Sequence, residues 1–311
     1  MRTTPRFVQG LVASAVAAAL LACSFAASAA ESMERYATVI KLKGTCRIIV
    51  NGKPAPISVG MEIKPGTEIQ TGADSFVDLR LGDTAHSKIQ RLGVGNPAAA
   101  TIYSSEESAP NVLHVYENTI VGIQKLMEMN TGVDKVTETE LNLKTGKILG
   151  NVKKLSSASH YEVKLPTGVA GIRGSTFVIG ADGTVSMISG SAVISMVIPI
   201  SPGSSITITQ TFTVNAGETF NPAVVIAGVQ AAAIQANGNV PLGPNPPPNV
   251  IAAGRNAAIA LSTGTPNVPG SPFQPVSPDL VIAVNNDLIP TLDTPTTITA
   301  KDNTVIFVSP K

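Results

Sequence analysis

Short runs that alternate apolar and polar residues dominate the chain from residue 37 onward. In SFVDLRL (75–81) the aliphatic residues fall on one face of an extended chain and the charged residues on the other, which is typical of a half-buried β-strand. Turn dipeptides separate such runs, and Asn51-Gly52 is the strongest hairpin signal among them. The pattern predicts an all-β domain over residues 37–220. We expect a single β-roll or sandwich, with a right-handed β-helix-like stack as the alternative.

Further signals divide this domain. Gly-containing turns at 145–146 and 181–183 predict two more hairpins, and the run SITITQTFTVNAGETF (205–220) predicts a closing pair of strands. The segments 93–111 and 130–140 are polar, and they predict a loop and an exposed loop or sheet edge.

The composition changes at the C-terminal end. Sixteen of the 23 prolines lie after residue 198. Residues 221–311 therefore read as an Ala- and Pro-rich, low-complexity and largely irregular tail. Within it, PAVVIAGVQAAAIQA (222–236) and IAAGRNAAIALSTG (251–264) predict short helices, the first beginning at a proline. From Thr265 onward we expect an extended or disordered segment.

Residues 1–30 have the organisation of a signal peptide. Two arginines precede an apolar run over 7–21, and Ala-Ser-Ala at 27–29 offers a cleavage site. The alternatives are an uncleaved membrane anchor, or a lipoprotein with Cys23 as the modified residue. Each of the three places residues from 31 onward outside the cytoplasm, in the periplasm or secreted. Contact with a membrane is expected only if the segment stays uncleaved or Cys23 is lipidated.

Charge and aromatic content exclude several classes of partner. The formal net charge is +1, so no electrostatic case exists for nucleic acid. Aromatic residues make up 4% of the chain and Trp is absent, which argues against a stacking platform for single strands or sugars. Once the leader is removed Cys46 stands alone, and we interpret it as a small buried apolar residue.

No catalytic or metal-binding pattern stands out. His86, His114 and His160 are scattered and do not have the spacing of zinc ligands. The run GIRGST (171–176) lacks the lysine and the spacing of a phosphate-binding loop, so no cofactor is expected. A G-x-S-x-G nucleophile motif is missing, and the paired glutamates lie in polar loops. The sequence therefore predicts a protein that is not an enzyme.

The most constrained stretch is LPTGVAGIRGSTF (165–177). Gly168, Gly171 and Gly174 suggest tight turns or close backbone approaches that a Cβ would prevent. Arg173 is expected to be buried and to bond strand or turn carbonyls as a structural pin. Its alternative role is recognition of a carboxylate or of a partner strand. With Phe177, these residues form a motif that we interpret as structural rather than catalytic.

The same stretch resembles the signature of FecR-type domains. Two earlier segments, GTCRIIVNGK (44–53) and VGMEIKPGTEIQTGADSFVDL (59–79), are also similar to the strand pattern of that family. The run LKTGKILGNVKKLSSASHYEVKLPTGVAGIRG resembles the secreted single-domain members. The resemblance covers roughly residues 37–198 and extends at most to 220.

The resemblance implies an all-β extracytoplasmic domain. In the best-known members this domain lies beyond a membrane helix and receives a signal from an outer-membrane transporter, while an N-terminal cytoplasmic segment passes it to a sigma factor. Here only six residues precede the apolar run, so we expect no such cytoplasmic segment. We also expect the Pro-rich tail in place of a transporter-facing domain.

Two functions remain open. The first is a non-catalytic extracytoplasmic interaction module of the bacterial cell envelope, which binds a protein or an envelope polymer through exposed strand edges or loops. The alternative is a periplasmic signal-sensing regulator of the FecR type that acts with a membrane partner and a sigma factor. The lack of a cytoplasmic segment favours the first.

Overall fold

The computed structural model describes residues 31–83, 111–131, 134–152, 155–266 and 268–293. The predicted signal peptide and nearly all of the loop at 93–111 lie outside these residues.

The described chain is built mainly from β-strands. The strands are β1 Glu31–Glu34, β2 Tyr36–Lys43, β3 Cys46–Val50, β4 Lys53–Pro56, β5 Glu62–Ile63, β6 Thr67–Thr71, β7 Phe76–Asp83, β8 Asn111–Val115, β9 Ile120–Asn130, β10 Lys135–Thr145, β11 Lys147–Asn151, β12 His160–Leu165, β13 Gly168–Gly180, β14 Val185–Pro199, β15 Thr207–Asn215, β16 Glu218–Phe220 and β17 Phe273–Pro275. The helices are α1 Pro222–Ala236, α2 Pro248–Ser262 and α3 Pro278–Asp293. The all-β prediction is confirmed.

Strand β13 organises the sheet. One of its edges pairs antiparallel with β14, and the other pairs with β12 along its first part and with β11 along its second part. From β12 the sheet continues through β10 to β9, and from β11 it continues through β8 and β7 to β2. The sheet curls into a half-barrel.

The predicted turns are present, but one of them does not close a hairpin. Asn51-Gly52 joins β3 to β4, and residues 181–183 join β13 to β14, each as an antiparallel hairpin. At Gly146 the chain turns with a φ of +80°, yet β10 and β11 pair with different strands. A Cβ at Gly146 would lie 2.2 Å from the Oγ1 of Thr119. The turn is packed against Thr119, and the chain crosses there from one arm of the sheet to the other.

Two strand assignments differ from the expectation. Much of the polar segment 130–140 belongs to β10, a paired strand rather than an exposed loop, because β9 and β12 flank it on both sides. Strands β15 and β16 do not pair with each other. Both pair with β14, one after the other along its length.

Helices α1 and α2 close the core on the inner face of the half-barrel. The side-chain oxygen of Asn221 accepts a hydrogen bond from the amide of Ala223 and caps α1, and proline occupies the first turn. Val225 and Val229 of α1 and Val250 of α2 are fully buried in the same cluster as the inner strand residues. Helices α1 and α2 lie where the sequence suggested short helices within the tail, and they pack on the sheet.

Helix α3 was not expected, because the chain from Thr265 onward suggested an extended or disordered segment. Its buried residues Val284 and Leu288 pack with Leu149 and Val178 on the outer face of the sheet. The apolar residues of α3 recur at helical spacing among asparagines and aspartates. That short stripe was hidden by the surrounding Pro- and Thr-rich composition.

No helix in the described part of the chain is long and apolar enough to span a bilayer.

One testable consequence concerns Tyr161 in the core. Its hydroxyl is buried without a hydrogen-bond partner among the described residues, and burial raises the pKa of the phenol. Tyr161→Phe removes an unsatisfied polar atom and should raise the free energy of unfolding by about 1 kcal/mol, seen as a Tm increase of about 2–4 °C. The matched control is Tyr116→Phe, because the Tyr116 hydroxyl donates to Asp287. That variant should be less stable than wild type. A loss of stability in Tyr161→Phe would contradict the account.

Candidate functional site

The glycine-rich stretch singled out in the sequence spans the end of β12, the following turn and β13 as far as Phe177. Gly168 has a φ of +157°, and a Cβ there would lie 2.1 Å from the carbonyl oxygen of Ser195 on β14. Gly174 has a φ of +58°. Gly168 therefore requires glycine, whereas Gly174 adopts a left-handed conformation that favours glycine. Glycine is not required at Gly171, because a Cβ there would meet only the carbonyl oxygen of Val193 at 3.7 Å.

A β-bulge follows Arg173, where the register with β14 shifts before Thr176. The buried polar side chain at this bulge is Ser175. Its Oγ accepts a hydrogen bond from the amide of Ser191 at 3.1 Å and lies 3.2 Å from the carbonyl oxygen of the same residue. A Cβ on Gly190 would lie 2.2 Å from that Oγ. Ser175 thus has the structural pinning role that the sequence analysis expected of Arg173.

Arg173 itself is exposed, which corrects the expectation of a buried guanidinium. Ala170 and Ile172 face the core, so strand alternation directs Gly171 and Arg173 outward, and the bulge begins only after Arg173. The guanidinium makes no hydrogen bond or ion pair within the described ranges. The structure therefore does not give this side chain the pinning role, and recognition of a carboxylate or a partner strand stays a prediction.

Phe177 is fully buried and architectural. It lies opposite Gly150 of β11, where a Cβ would come within 2.2 Å of its ring. The ring of Tyr161 meets it edge-on, with centroids 5.9 Å apart. Because Gly150 has no side chain, the ring of Phe177 packs directly over the backbone of β11. The pair therefore fills this part of the core without a void.

Outward-facing residues of β13, β14 and β15 form a contiguous surface, which we call the outer β13–β15 face. It consists of Gly171, Arg173, Val193, Ser195, Val197, Thr209, Thr211 and Thr213. Cross-strand pairs hold these residues side by side, with Val193 opposite Thr213 and Val197 opposite Thr209. Val193 is 49% exposed and Val197 is 45% exposed. Arg173 is the sole charged residue of this set.

Strand β15 borders the outer β13–β15 face. Among the described residues it pairs with β14 alone, along all nine of its residues. Its sequence, TITQTFTVN, contains no ionisable residue and no proline. Natural edge strands are commonly protected by charges, prolines or bulges. The residues of β15 include none of these, but the carboxylate of Glu218 holds the amide of Asn215, and the side chain of Gln210 bonds the carbonyl of Thr211.

A second feature lies on the opposite arm of the sheet, in a cavity of about 340 Å³ between β2, β7, β8 and α3. His114 is buried at its floor with Asp78, which is 1% exposed, and the distance from Nδ1 to Oδ1 is 2.5 Å. The rings of Phe76 and Tyr116 flank the imidazole, with centroids 5.1 and 4.4 Å away. Since Asp78 occupies Nδ1, Nε2 is the nitrogen left for other contacts.

Tyr116 connects this cavity to α3. Its hydroxyl donates a hydrogen bond to Oδ2 of Asp287 at 2.8 Å. Burial raises the pKa of Tyr116, and the hydrogen bond and negative charge of Asp287 raise it further, followed by the charge of Asp78. Ser75 also lines the cavity, but its Oγ donates to the carbonyl of Ala73 and accepts from the amide of Thr45. Both of these bonds hold the turn before β7.

The sequence did not indicate the pair of His114 and Asp78. The alternation in β7 assigned Asp78 to a polar face, which is correct, but not to a buried one. The missing information was α3, which covers that arm of the sheet. The only sequence signal was a histidine and an aspartate at outward positions of two separate strands, and strand pairing is needed to place Asp78 opposite His114.

Cys46 is half-buried rather than fully buried. Its Sγ lies 3.4 Å from the carbonyl oxygen of Lys43, and burial raises the pKa of the thiol. A raised pKa keeps the thiol protonated and disfavours nucleophilic chemistry. Within the described ranges, no three His, Cys, Asp or Glu side chains come together in a group that could hold a metal ion.

A comparison with protein families and with curated proteins finds no match. Two crystal structures of a candidate anti-sigma factor from Parabacteroides distasonis ATCC 8503, at 1.65 and 2.50 Å resolution, are similar to part of the chain. The first has 14% sequence identity and a TM-score of 0.30, and covers 49% of this chain and 53% of the solved one. The second has 13% identity and a TM-score of 0.24, with 47% and 54% covered. The chain spans about half the length of the solved structures that it matches.

The glycines of β13 give a direct test of the motif. Gly168→Ala forces a Cβ against the carbonyl of Ser195 and should lower the free energy of unfolding by about 2 kcal/mol or more in urea denaturation. The matched control is Gly171→Ala in the same strand, which should change it by less than about 0.5 kcal/mol. Equal losses for the two variants would show that the close approach at Gly168 does not determine stability.

The raised pKa of Tyr116 predicts an alkaline effect. In the unfolded chain a phenol loses its proton near pH 10, about its ordinary pKa, whereas the folded state keeps that proton to higher pH. The stability that this phenol contributes is therefore present below about pH 10 and lost above it. Chemical denaturation of wild type and Tyr116→Phe should show a wild-type advantage at neutral pH that narrows above about pH 10. An advantage independent of pH would rule out this linkage.

Proposed function

We propose that the chain is a non-catalytic interaction module of the bacterial cell envelope, which binds a protein or an envelope polymer through the outer β13–β15 face. The observation that carries this proposal is the pair of exposed valines, Val193 and Val197, set among threonines and serine on a paired, rigid part of the sheet. Strand alternation alone would permit charged residues at these positions. The chain instead presents an uncharged surface bounded by Arg173.

The chemistry of this surface fits binding rather than catalysis. The surface alternates exposed apolar and hydroxyl side chains, because Ser195 lies between Val193 and Val197 and threonines face the valines across the strands. The hydroxyls of Thr209, Thr211 and Thr213 supply donors and acceptors at the regular spacing of one strand. Arg173, whose guanidinium is uncommitted within the described part of the chain, can add a bidentate contact to a carboxylate or phosphate of the partner. The hydroxyls and the guanidinium would orient the bound partner, and the valines would add apolar contact area.

The cell-envelope setting of this proposal is supported by the sequence. Residues 1–30 have the organisation of a signal peptide, and the segments 44–53, 59–79 and 165–177 resemble FecR-type domains. Both features favour an extracytoplasmic location.

The resemblance at 165–177 also supports a second candidate function, a periplasmic signal-sensing regulator that acts with a membrane partner and a sigma factor. The two functions predict different genetic surroundings. A gene for a sigma factor or an outer-membrane transporter beside this one would favour the regulator. Deleting the gene should then change sigma-dependent transcription, which an interaction module would leave unaltered.

The binding test uses the exposed valines. Full-length chain immobilised on resin is exposed to detergent-solubilised envelope proteins and, separately, to insoluble envelope polymer from the bacterium that encodes it. Val193→Glu places a charge at the centre of the outer β13–β15 face and should reduce retention of the bound component by about tenfold or more. The matched control is Val59→Glu, because Val59 is also highly exposed but lies in a distant turn.

A component retained by wild type and by Val59→Glu, but lost with Val193→Glu, would support the proposal. Retention that is the same for all three chains, or the lack of any retained component, would contradict it. Circular dichroism of each variant shows whether the fold is intact.

A further inference from the structure

Strand β15 has one edge that pairs with no other described strand. Two copies of this edge could pair with each other. Nine residues in a row pair with β14 on one side and with no described strand on the other. Within the described residues, the regular part of this edge from Thr207 to Thr213 is a template for another extended chain.

We propose that two copies of this chain pair antiparallel through their β15 strands, about a two-fold axis that passes beside Thr211. In this register Thr211 faces the Thr211 of the second copy, Thr209 faces Thr213, and Thr207 faces Asn215. Directly opposed residues of an antiparallel pair lie on the same face of the sheet. The outward threonines of both copies therefore meet on one side, and the inward residues meet on the other.

Charge is the first argument for a second copy as the occupant. An isologous pair sets each residue opposite a symmetry-related position, so a charged edge would repel itself. The residues of β15 are all uncharged, and the register opposes only threonines and asparagine on the outward side. Cross-strand threonine pairs are favourable. Glu218 accepts hydrogen bonds from the backbone and side-chain amides of Asn215. The Asn215 amide is thus committed within its own chain, and the pairing between copies rests on Thr209, Thr211 and Thr213.

Apolar surface beside the edge is the second argument. The side-chain amide of Gln210, the residue before Thr211, donates to the Oγ of Ser262 at the end of α2 and also to the carbonyl oxygen of Thr211, which keeps its second lone pair for another donor. The end of α2 thus lies next to the middle of β15. Ile259, one turn earlier in α2, is 47% exposed. The two-fold axis brings the ends of both α2 helices together, so that this isoleucine can be covered by the second copy.

The consequence goes beyond the proposed function. The two copies would join their outer β13–β15 faces into one continuous surface, twice as wide, with an Arg173 at either end. A repetitive partner such as an envelope polymer would then meet two equivalent sites, which increases avidity without any new type of contact.

The test measures self-association of the full-length chain by sedimentation velocity over a range of micromolar concentrations. Wild type should sediment as a species with twice the mass of one chain. A Thr209→Lys/Thr213→Lys double variant places lysines opposite each other in both copies and should weaken association by on the order of tenfold or more. A Thr209→Glu/Thr213→Glu variant should do the same. An equimolar mixture of the two should recover the dimer, because each lysine then faces a glutamate.

The matched control is Ser195→Lys, which adds charge to the same face but one strand in from the edge, opposite Thr211 of its own chain. This variant should remain dimeric. A monomeric wild type, a dimer that survives both double variants, or a mixture that stays monomeric would each overturn the proposal. Self-association is measured without any envelope component, so its failure is distinct from a failure of partner binding.

Discussion

The structure depends on one strand, β13, that pairs with three other strands. Strand β13 meets β14 on one edge, and β12 and then β11 on the other, so both arms of the curled sheet are anchored to it. This arrangement requires the backbones of β13 and β14 to approach closely at Gly168, and it requires the bulge at Ser175 to absorb an extra residue. The glycine-rich motif is explained by these two constraints rather than by ligand binding.

Beyond β14 only the inner face of the sheet is covered by other elements of the described chain. Its inner face is covered by α1 and α2, which bury Ile208, Phe212 and Val214 of β15. Its outer face keeps exposed valines and threonines, and the edge of β15 is unpaired in the described part of the chain. A rigid scaffold therefore presents an uncharged surface and an open edge in the same place, and this combination supports an interaction role.

Local patterns predicted the strand content, the hairpin at Asn51-Gly52 and the helices α1 and α2, because alternation, turn chemistry and capping are encoded over a few residues. Pairing partners could not be predicted in this way. The turn at Gly146 looks like a hairpin in sequence, but contact with Thr119 directs the chain elsewhere. Arg173 was misplaced because the face on which it lies depends on the register of β13 with β14, which the sequence alone does not show. The buried pair of His114 and Asp78 depends on α3, whose stripe of Leu280, Val284 and Leu288 is too short to stand out.

The most direct measurement is amide hydrogen exchange of the full-length chain at low and at high protein concentration. The account predicts that amides of β13 are strongly protected at both concentrations, because both of its edges are paired. Amides of β15 that point away from β14 should exchange rapidly in dilute solution and become protected when the protein is concentrated. Rapid exchange throughout β13, or full protection of β15 in dilute solution, would contradict the account.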